Sequence, residues 1–595
     1  MPVNEVQQVI ASVLTSLDGR LATVIWIGFA AIGITFLLVL ALAPLLPEEI
    51  QNRLERRPIL RASLSDKAFL MTVVVALVVT RLPVLSQLQL NPDESNLILA
   101  ARTLLQDPRY WISIEGQSLG PIATLPAMLP SIFGQPIDFT TIRAVGILIW
   151  AVALGAMFLG FRRLYSARMA RVLLLPVALT VISFNYWDYV AFNGEHMPVL
   201  LLAIAFALHA GLRAETATVQ PVRSFSLGFV LALVPFAKIQ AGPIALVWGL
   251  LAIVLSWRVD PKRAMYHAGG AVFVVASIAF YLVASGALYD FWQSYVLNNL
   301  LYAKVGWNAI HQDTTFIDNL KLAPAYFMKV PDSRGLFLLT AAVASIGFAW
   351  ALVDSRFRSA LRGSGAYFAF VIVAVAFVSI IIPKTNWTHY LLLMIIPTGM
   401  FIAAVAAAAA ETIEGRLGVL RGASRGPRRL SLVSGPVLVG LFIGIAAFTS
   451  AGYSLFEGRK NPATWRAAGN LQRGQEPNLV TAAILRHTSP GEPVGHWGVV
   501  FVHLAQAGVS LANREAHNER ALFPSYQQQY YINRWTQDVM KRRPRIVLDS
   551  GAGKFEAFRL EGYPQAYSSV VANYELVDEV AGFRIFRLRV DSAEP

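Results

Sequence analysis

Apolar segments long enough to cross a membrane constrain the fold of this chain more than any other feature. An α-helix rises 1.5 Å per residue, so about 20 apolar residues span the roughly 30 Å hydrocarbon core of a bilayer. Only 14% of the 595 residues are charged, whereas a soluble protein carries about 25%. We therefore predict a polytopic α-helical membrane protein with about 12 transmembrane helices. They are placed near residues 21–46, 68–86, 140–161, 170–186, 194–212, 224–237, 241–257, 266–286, 335–353, 366–383, 389–410 and 433–452.

The loops between these segments differ in basic content. One alternating set carries 22 Lys and Arg residues, whereas the opposite set carries 8 over a greater length. Cytoplasmic loops accumulate Lys and Arg. The basic set is therefore predicted to be cytoplasmic, and both termini and the long loops 87–139 and 287–333 are predicted to face outward. The basic loops lie near 47–67, 162–171, 213–223, 258–263, 354–362 and 411–430.

The net charge of +14 follows mainly from this topology. A basic excess concentrated in short cytoplasmic loops is an orientation signal, so no nucleic-acid partner is predicted. The chain has no cysteine, which excludes disulfides, thiol nucleophiles and thiolate metal sites.

Three regions are predicted. Residues 1–67 hold an additional N-terminal transmembrane helix and a basic cytoplasmic loop, 68–452 the main transmembrane domain, and 453–595 a soluble outward-facing α/β domain. The last region is richer in charged residues than the membrane region, and its apolar residues alternate between the helical and the strand periodicity. Its ~140 residues match the usual domain size. Its predicted helices lie near 475–488, 499–507 and 525–541, and its strands near 493–497, 545–549, 574–579 and 583–589. No Gly-rich phosphate loop opens any predicted helix of this last region, and internal repeats are not visible in the sequence.

The first long loop contains one amphipathic helix at 91–107. Asn91 suits the cap and Pro92 the first helical position. The apolar residues that follow share one face: Leu97, Ala101, Leu104 and Leu105. The segment is too short and polar to span a bilayer, so we predict that it lies along the membrane surface with Asp93 and Glu94 at its leading end.

Ionisable residues of the membrane region gather at the outward ends of the helices: Asp93, Glu94, Arg143, Asp188, Glu195, His196, Lys238, Lys384 and His389. A proton- or ion-coupled transporter would place such groups near the midplane.

The apolar run before Lys238 rises only ~21 Å, so this ammonium either sits below the headgroups and meets an anion such as a lipid phosphate, or snorkels to the surface.

Several of these residues also have a purely structural interpretation. Asp93 and Glu94 would stabilise the positive end of a helix dipole by ~0.3 to 1 kcal/mol. The same applies more weakly to Glu195 and His196. Isolated histidines such as His196 and His389 are more often hydrogen-bonded structural groups than metal ligands.

A family resemblance connects these scattered residues. The pieces that match, in order, are PDE at 92–94, EGQSLGP at 115–121, Arg143, NGEHMP at 193–198, PFAKIQAGP at 235–243 and KTNWTHYLLLMIIP at 384–397. Over about 68–410 the chain resembles the integral-membrane glycosyltransferases of the GT-C fold, which include protein O-mannosyltransferases and the aminoarabinose and galacturonic acid transferases that modify lipopolysaccharide. The segment at 21–46 precedes the first helix usual in that superfamily.

The resemblance implies a sugar donor carried on a polyprenyl phosphate and a lipid, glycan or protein hydroxyl acceptor. Asp93, with Glu94 beside it, would be the catalytic carboxylate that deprotonates the acceptor, and displacement would invert the anomeric centre. Lys238 first, and Arg143 second, would stabilise the departing phosphate. His389 and Tyr390 would assist at this phosphate or orient the acceptor.

Further contacts to the sugar or acceptor are expected from Glu115, Asn193, Glu195 and His196. No cofactor is required by the resemblance, although a divalent cation stays open because some members use one. The expected location is a bacterial-type inner (plasma) membrane, with the site and the C-terminal domain on the periplasmic side.

Two other functions stay open on the sequence. A flippase or other transporter of lipid-linked glycans would move its substrate without making a glycosidic bond, and the lack of midplane charges disfavours it. A glycan ligase or polymerase would share the outward site but use a diphosphate-linked oligosaccharide donor.

Overall fold

A computed structural model describes residues 32–33, 35–46, 48–56, 65–85, 87–214, 220–305, 315–383, 385–423, 434–458 and 478–589. A helix lies at each of the twelve predicted apolar segments, the first of which is described only from residue 32 onward. These helices are Thr35–Leu45, Asp66–Arg81, Phe139–Leu164, Ala167–Ser183, His196–Ala214, Pro221–Ala237, Gly242–Val259, Pro261–Ser285, Pro331–Val353, Ala366–Ile381, Ile395–Ala423 and Gly435–Gly458.

Within the described residues, six helices are long and apolar enough to cross a membrane. The bent pair Ser355–Ser364 and Ala366–Ile381, which turns by 66°, adds a seventh if it forms one span. The predicted class, a polytopic helical membrane protein with a C-terminal α/β domain, is confirmed.

Local sequence signals explain where several helices begin and end. Asp138 and Thr141 form a capping box at the start of Phe139–Leu164, which satisfies backbone N–H groups that have no partner inside the helix. Asp260 caps Pro261–Ser285, whose first residue is a proline. The same helix ends at Gly286, which has a positive φ of 71°; this conformation favours glycine because it has no Cβ.

The helix Ile395–Ala423 forms the centre of the membrane region. Its alanine-rich part, residues 403–410, is predominantly buried, because small side chains let neighbouring helices approach closely. Helices Pro331–Val353, Ser355–Ser364, Ala366–Ile381 and Gly435–Gly458 pack around it. A 3₁₀ segment, Thr388–Met394, leads into this helix and carries polar residues to the end of the bundle.

The helix of the first long loop, Pro92–Gln106, is more buried than a helix on a membrane surface would be. Asn91 caps it and Pro92 takes its first position, as predicted. The backbone N–H of Leu511 donates to Thr103 Oγ1 at 3.0 Å, and Arg102 donates to the carbonyl of Ala505 at 2.8 Å. The predicted surface position is therefore wrong in one respect, because the C-terminal domain covers this helix.

The C-terminal region contains a five-stranded sheet with the strands β1 (Pro493–Trp497), β2 (Ser510–Leu511), β3 (Ile546–Asp549), β4 (Tyr574–Val580) and β5 (Phe583–Leu588). Their order is β2-β1-β3-β5-β4. β1 is parallel to β2 and β3, whereas β5 is antiparallel to β3 and β4. The predicted strands are all present, and the two-residue β2 was missed. The helices are Leu479–His487, Val502–Ala507, Glu519–Leu522, Gln528–Arg542 and Pro564–Asn573.

The second long loop is largely helical. It contains Leu288–Asp290, the π-helix Phe291–Leu297, Asn298–Val305 and, after residues 306–314, Phe316–Lys329. Further short helical segments are Glu48–Glu55, Leu82–Val84, Pro121–Thr124, Leu125–Met128, Leu129–Ile132, Trp187–Val190, Ile239–Ala241, Gly553–Phe558 and Leu560–Gly562, and the helix Thr35–Leu45 ends in the 3₁₀ turn Ala43–Leu45.

Candidate functional site

A cavity of about 420 Å³ lies between the ends of the membrane helices and the C-terminal domain. Four of the predicted site residues line it: Asp93, Lys238, His389 and Tyr390. Its other walls come from the second long loop and from the C-terminal domain. A concave site with apolar and aromatic walls and a few convergent polar groups is typical of a small-molecule or lipid-headgroup site.

Asp93 is placed by the first turn of Pro92–Gln106. Its backbone N–H donates to Asn91 Oδ1 at 2.7 Å, and its half-buried side chain reaches the cavity. Asn91 Nδ2 also donates to Asp188 Oδ1 at 2.5 Å. The cap therefore fixes two carboxylates at once, Asp93 through the backbone and Asp188 through a side chain.

Asp188 connects Asn91 to the 3₁₀ segment Thr388–Met394, which carries the predicted site residues His389 and Tyr390. Its carboxylate accepts a hydrogen bond from the Thr388 hydroxyl, and His389 Nδ1 lies 3.6 Å from it. The sequence marked Asp188 as one charge among several and gave it no role. The structure adds it to the site, because it lines the cavity and holds His389.

Lys238 lies where the chain turns between Pro221–Ala237 and Gly242–Val259. Its side chain is only 2% exposed, and its ammonium contacts the buried Glu195 carboxylate. The ammonium lies 5.0 Å from the centre of the Tyr390 ring, within the range of a cation–π contact. The snorkelling interpretation is therefore wrong, since a buried carboxylate holds the ammonium inside the protein.

Two glycines of the matching motifs permit this close packing. A Cβ on Gly120 would lie 2.0 Å from the carbonyl oxygen of Phe236, and one on Gly194 would lie 2.1 Å from the Leu119 side chain. At position 120 the clash is with backbone, so any larger residue there would separate the EGQSLGP loop from the PFAKIQAGP turn that presents Lys238.

Asp93, Glu195 and His389 converge. Each offers one ligand atom, and these atoms lie within 4.8 Å of one another. Two carboxylates and an imidazole are a donor set that fits a divalent cation. Because Lys238 contacts Glu195, the structure also shows how a protein cation neutralises part of this negative charge. Asp93 and Lys238 therefore meet at the same end of the cavity.

Glu94 and Arg143 form a pair away from the cavity. Arg143 donates from Nε and Nη2 to the two Glu94 oxygens, each at 2.6 Å. Its other donors reach the backbone carbonyls of residues 84, 85, 87 and 88. Glu94 also accepts from the backbone N–H of Leu90 and Phe192. With its donors all engaged, Arg143 has the geometry of a structural ion pair and leaves no N–H for a phosphate.

The remaining predicted residues lie behind the cavity wall or beside it. Asn193 donates to the backbone carbonyl of Asp188, and its Oδ1 lies 3.0 Å from His196 Nδ1. His196 packs against the rings of Trp150 and Phe192. Glu115 is buried against the C-terminal domain, 3.5 Å from Arg534. Asn193 and His196 therefore hold the segment of Asp188, Glu115 belongs to the domain contact, and these three residues do not line the cavity.

The C-terminal domain supplies cavity residues that the sequence did not predict. They include the aromatic residues Phe501, Phe523 and Phe555 and the polar residues His517, Glu519, Arg520 and Lys554. Tyr302 and Trp387 come from the membrane region, and Trp387 Nε1 donates to the Tyr302 hydroxyl at 3.2 Å. No local pattern marks these residues, because they meet only when the domain folds onto the helices.

Comparisons with known proteins give a likeness at the level of structure. Neither protein-family models nor curated proteins match the chain. Among solved structures, ArnT from Cupriavidus metallidurans bound to undecaprenyl phosphate has a TM-score of 0.50 and 12% identity, covering 89% of this chain and all of that one. The apo structure of ArnT from the same organism has a TM-score of 0.49 and 13% identity, with the same coverage of both chains. The Archaeoglobus fulgidus oligosaccharyltransferase in the apo form has a TM-score of 0.41 and 12% identity, covering 88% of this chain and 75% of that chain. The likeness to undecaprenyl phosphate-bound ArnT confirms the GT-C fold that the sequence predicts.

Proposed function

We propose that this protein is a glycosyltransferase that moves a sugar from a polyprenyl-phosphate donor to a hydroxyl acceptor at the outer face of the membrane. The observation that carries the proposal is the meeting of Asp93 and Lys238 in one cavity at the ends of the membrane helices. A base and a cation are the two groups that such a displacement needs. The ArnT structure with the same fold has undecaprenyl phosphate bound, which supports a lipid phosphate as the donor.

The proposed reaction is a direct displacement. An Asp93 oxygen removes the proton of the acceptor hydroxyl while the acceptor oxygen attacks the anomeric carbon. The bond between that carbon and the phosphate oxygen breaks on the opposite face, so the configuration inverts and polyprenyl phosphate leaves with the bonding electrons. The proton ends on Asp93 and is later lost to solvent.

Lys238 is proposed to stabilise the negative charge that develops on the leaving phosphate. Its ammonium is buried at the cavity wall and held by Glu195, so it needs little reorganisation when the charge appears. Glu195 acts here as a positioning residue. The Tyr390 ring contributes its electron-rich face to the same ammonium.

A divalent cation would be held by Asp93, Glu195 and His389, whose ligand atoms fit one ion. Bound there, it would supply Lewis-acid stabilisation of phosphate oxygens. This chain's residues would then orient the phosphate toward the Asp93 side of the cavity. The Lys238 ammonium, which contacts the Glu195 carboxylate, already supplies one positive charge beside these three residues.

The proposed sidedness follows from the basic loops. The cavity lies at the ends of the helices opposite the loops predicted to be cytoplasmic. Soluble nucleotide sugars do not reach the outer face, so a lipid-carried donor is required. We propose a bacterial-type inner membrane with the cavity and the C-terminal domain on its periplasmic side.

The test uses the purified full-length protein and radiolabelled donors that differ only in the linkage, polyprenyl monophosphate or polyprenyl diphosphate, with cell-envelope lipid extract as the source of acceptor. The proposal expects the label of the monophosphate donor to move to a new product while polyprenyl phosphate is released. Consumption of the diphosphate donor alone would favour a ligase or polymerase. Movement of intact donor across vesicle membranes with no new glycosidic bond would favour a flippase.

A further inference from the structure

The cavity has a second cationic wall that the proposed reaction does not use. Arg520, Lys554 and His517 of the C-terminal domain line it, together with the Glu519 carboxylate. With histidine neutral, these groups carry one net positive charge. The wall formed by the membrane region, with Asp93, Asp188 and Lys238, is net negative. The two walls therefore differ in the sign of their charge.

Arg520 is the residue of this wall that points most clearly to a ligand. Its side chain is only 14% exposed, and its buried Nε has no hydrogen-bond partner within the described part of the chain. The nearest carboxylate oxygen, of Glu519, lies 3.6 Å from Nε, beyond hydrogen-bond distance. Leaving a buried charged donor unpaired is costly.

The surroundings hold this guanidinium in place without consuming its donors. Its central carbon lies 5.4 Å from the centre of the Tyr302 ring, and Tyr302 is fixed by Tyr390, Trp387 and Thr385. Glu519 lies 3.6 Å from both Arg520 Nε and His517 Nδ1, so it orients both groups. A planar guanidinium held over an aromatic ring, with free N–H groups, suits two-pronged binding of an oxyanion.

We infer that Arg520, with Lys554 and His517 beside it, forms an oxyanion subsite on the C-terminal domain. The ligand is a phosphate or carboxylate group of a substrate that occupies the cavity. This inference deepens the proposed function and rests on it for the identity of the substrates. The subsite is separate from Lys238, whose ammonium Glu195 already holds.

A phosphate in this cavity could belong to the donor or to an anionic acceptor. Both sources present the same oxyanion to Arg520. They differ in whether a donor analogue and a second anion bind together or exclude one another.

The test measures binding rather than transfer, so it does not depend on the proposed reaction. Inorganic phosphate and farnesyl phosphate are titrated by calorimetry into the detergent-solubilised full-length protein and its Arg520→Gln, Arg520→Lys and Arg587→Gln variants. Arg587 is an exposed arginine of the same domain, paired with Glu575, and serves as the matched control. Thermal unfolding of each variant verifies that it is folded.

The inference expects Arg520→Gln to weaken phosphate binding by roughly 10- to 100-fold, the value of a charged hydrogen-bonding group. Arg520→Lys should retain part of the affinity, and Arg587→Gln all of it. Displacement of inorganic phosphate by farnesyl phosphate would assign the subsite to the donor; simultaneous binding would assign it to an anionic acceptor. Absent phosphate binding by the wild type, or equal affinity in Arg520→Gln, would overturn the inference, and weak binding unchanged in all variants would show an adventitious ion only.

Discussion

Lys238 combines a structural contact with the chemical role that we propose for it. Its ammonium lies beside a fully buried carboxylate, Glu195, and both groups had to leave water when the protein folded. Removing one partner of such a pair leaves the other charge uncompensated, at a cost of roughly 3 to 5 kcal/mol. The activity of a single variant therefore reflects both the loss of stability and the loss of the cation.

We predict that Lys238→Met lowers the thermal unfolding temperature and abolishes transfer. The double variant Lys238→Met/Glu195→Gln should recover most of the stability, because the buried charge is gone, and stay inactive because the cation is missing. Calorimetry in detergent and the labelled-donor assay measure the two effects. Recovery of activity with the double variant would remove Lys238 from the chemistry and leave it a structural role.

At the scale of elements, the Glu94–Arg143 pair joins two parts of the fold that are far apart in sequence. It fastens the helix Phe139–Leu164 to the backbone at 84–90 and to the first turn of Pro92–Gln106. Asp93 belongs to that turn. The pair therefore fixes the place of the proposed base without contacting the cavity.

We predict that Arg143→Met destabilises the protein by roughly 3 to 5 kcal/mol, since Glu94 would be left buried and unpaired. Arg162→Met is the matched control on the same helix, because Arg162 is half exposed and contacts Asp66 at 3.3 Å, an interaction of roughly 0 to 1 kcal/mol. Unfolding temperatures and expression in membranes measure the difference. A folded Arg143→Met protein with normal stability but a much higher KM for the donor would instead support phosphate binding by Arg143.

The elements could be predicted from the sequence where local signals define them. Apolar runs gave the membrane helices, and Asn91 with Pro92 gave the start of Pro92–Gln106. The role of Arg143 could not be predicted, because its partner Glu94 lies 49 residues away and a lone arginine suits a phosphate equally well. The wall formed by Arg520 depends on how a separate domain packs, which no periodicity encodes.

At the scale of the whole molecule, a buried charge cluster holds the C-terminal domain against the membrane region. Glu115 of the first long loop and Asp290 of the second contact Arg534, at 3.5 and 3.7 Å. Arg514 contacts Asp290 at 2.7 Å and Asp538 at 3.2 Å. The cluster spans both loops and the domain, so its charge state affects how firmly the domain is held against the loops.

We predict that this contact weakens as pH rises. Burial raises the pKa of Glu115 to about 7 and that of Asp538 to about 6, although arginines oppose both shifts. These two carboxyls therefore bind more protons in the folded state than in the unfolded state between the ordinary carboxyl pKa and these values, and their contribution to stability falls as pH increases through that window.

Burial also lowers the pKa of His496 to about 3 and that of His503 to about 4, and these histidines make stability increase with pH equally in all variants. The contribution of Glu115 is therefore measured as a difference: between about pH 5 and pH 7.5 the unfolding temperature of the wild type should fall by a few degrees relative to that of Glu115→Gln, which cannot ionise. Arg587→Gln, which changes an exposed arginine paired with Glu575, serves as the control and should follow the wild type. A difference between the wild type and Glu115→Gln that stays constant over this range, or that changes in favour of the wild type, would contradict the assignment.

The most direct measurement of the central claim compares Asp93→Asn with Asp107→Asn in the labelled monophosphate-donor assay. Both substitutions make the same chemical change, one at the cavity end of the helix Pro92–Gln106 and the other at its C-terminal cap. With Asp93 as the base, Asp93→Asn should lower kcat by roughly 100- to 10,000-fold, whereas Asp107→Asn should keep wild-type activity. Full activity of a folded Asp93→Asn protein would contradict the account.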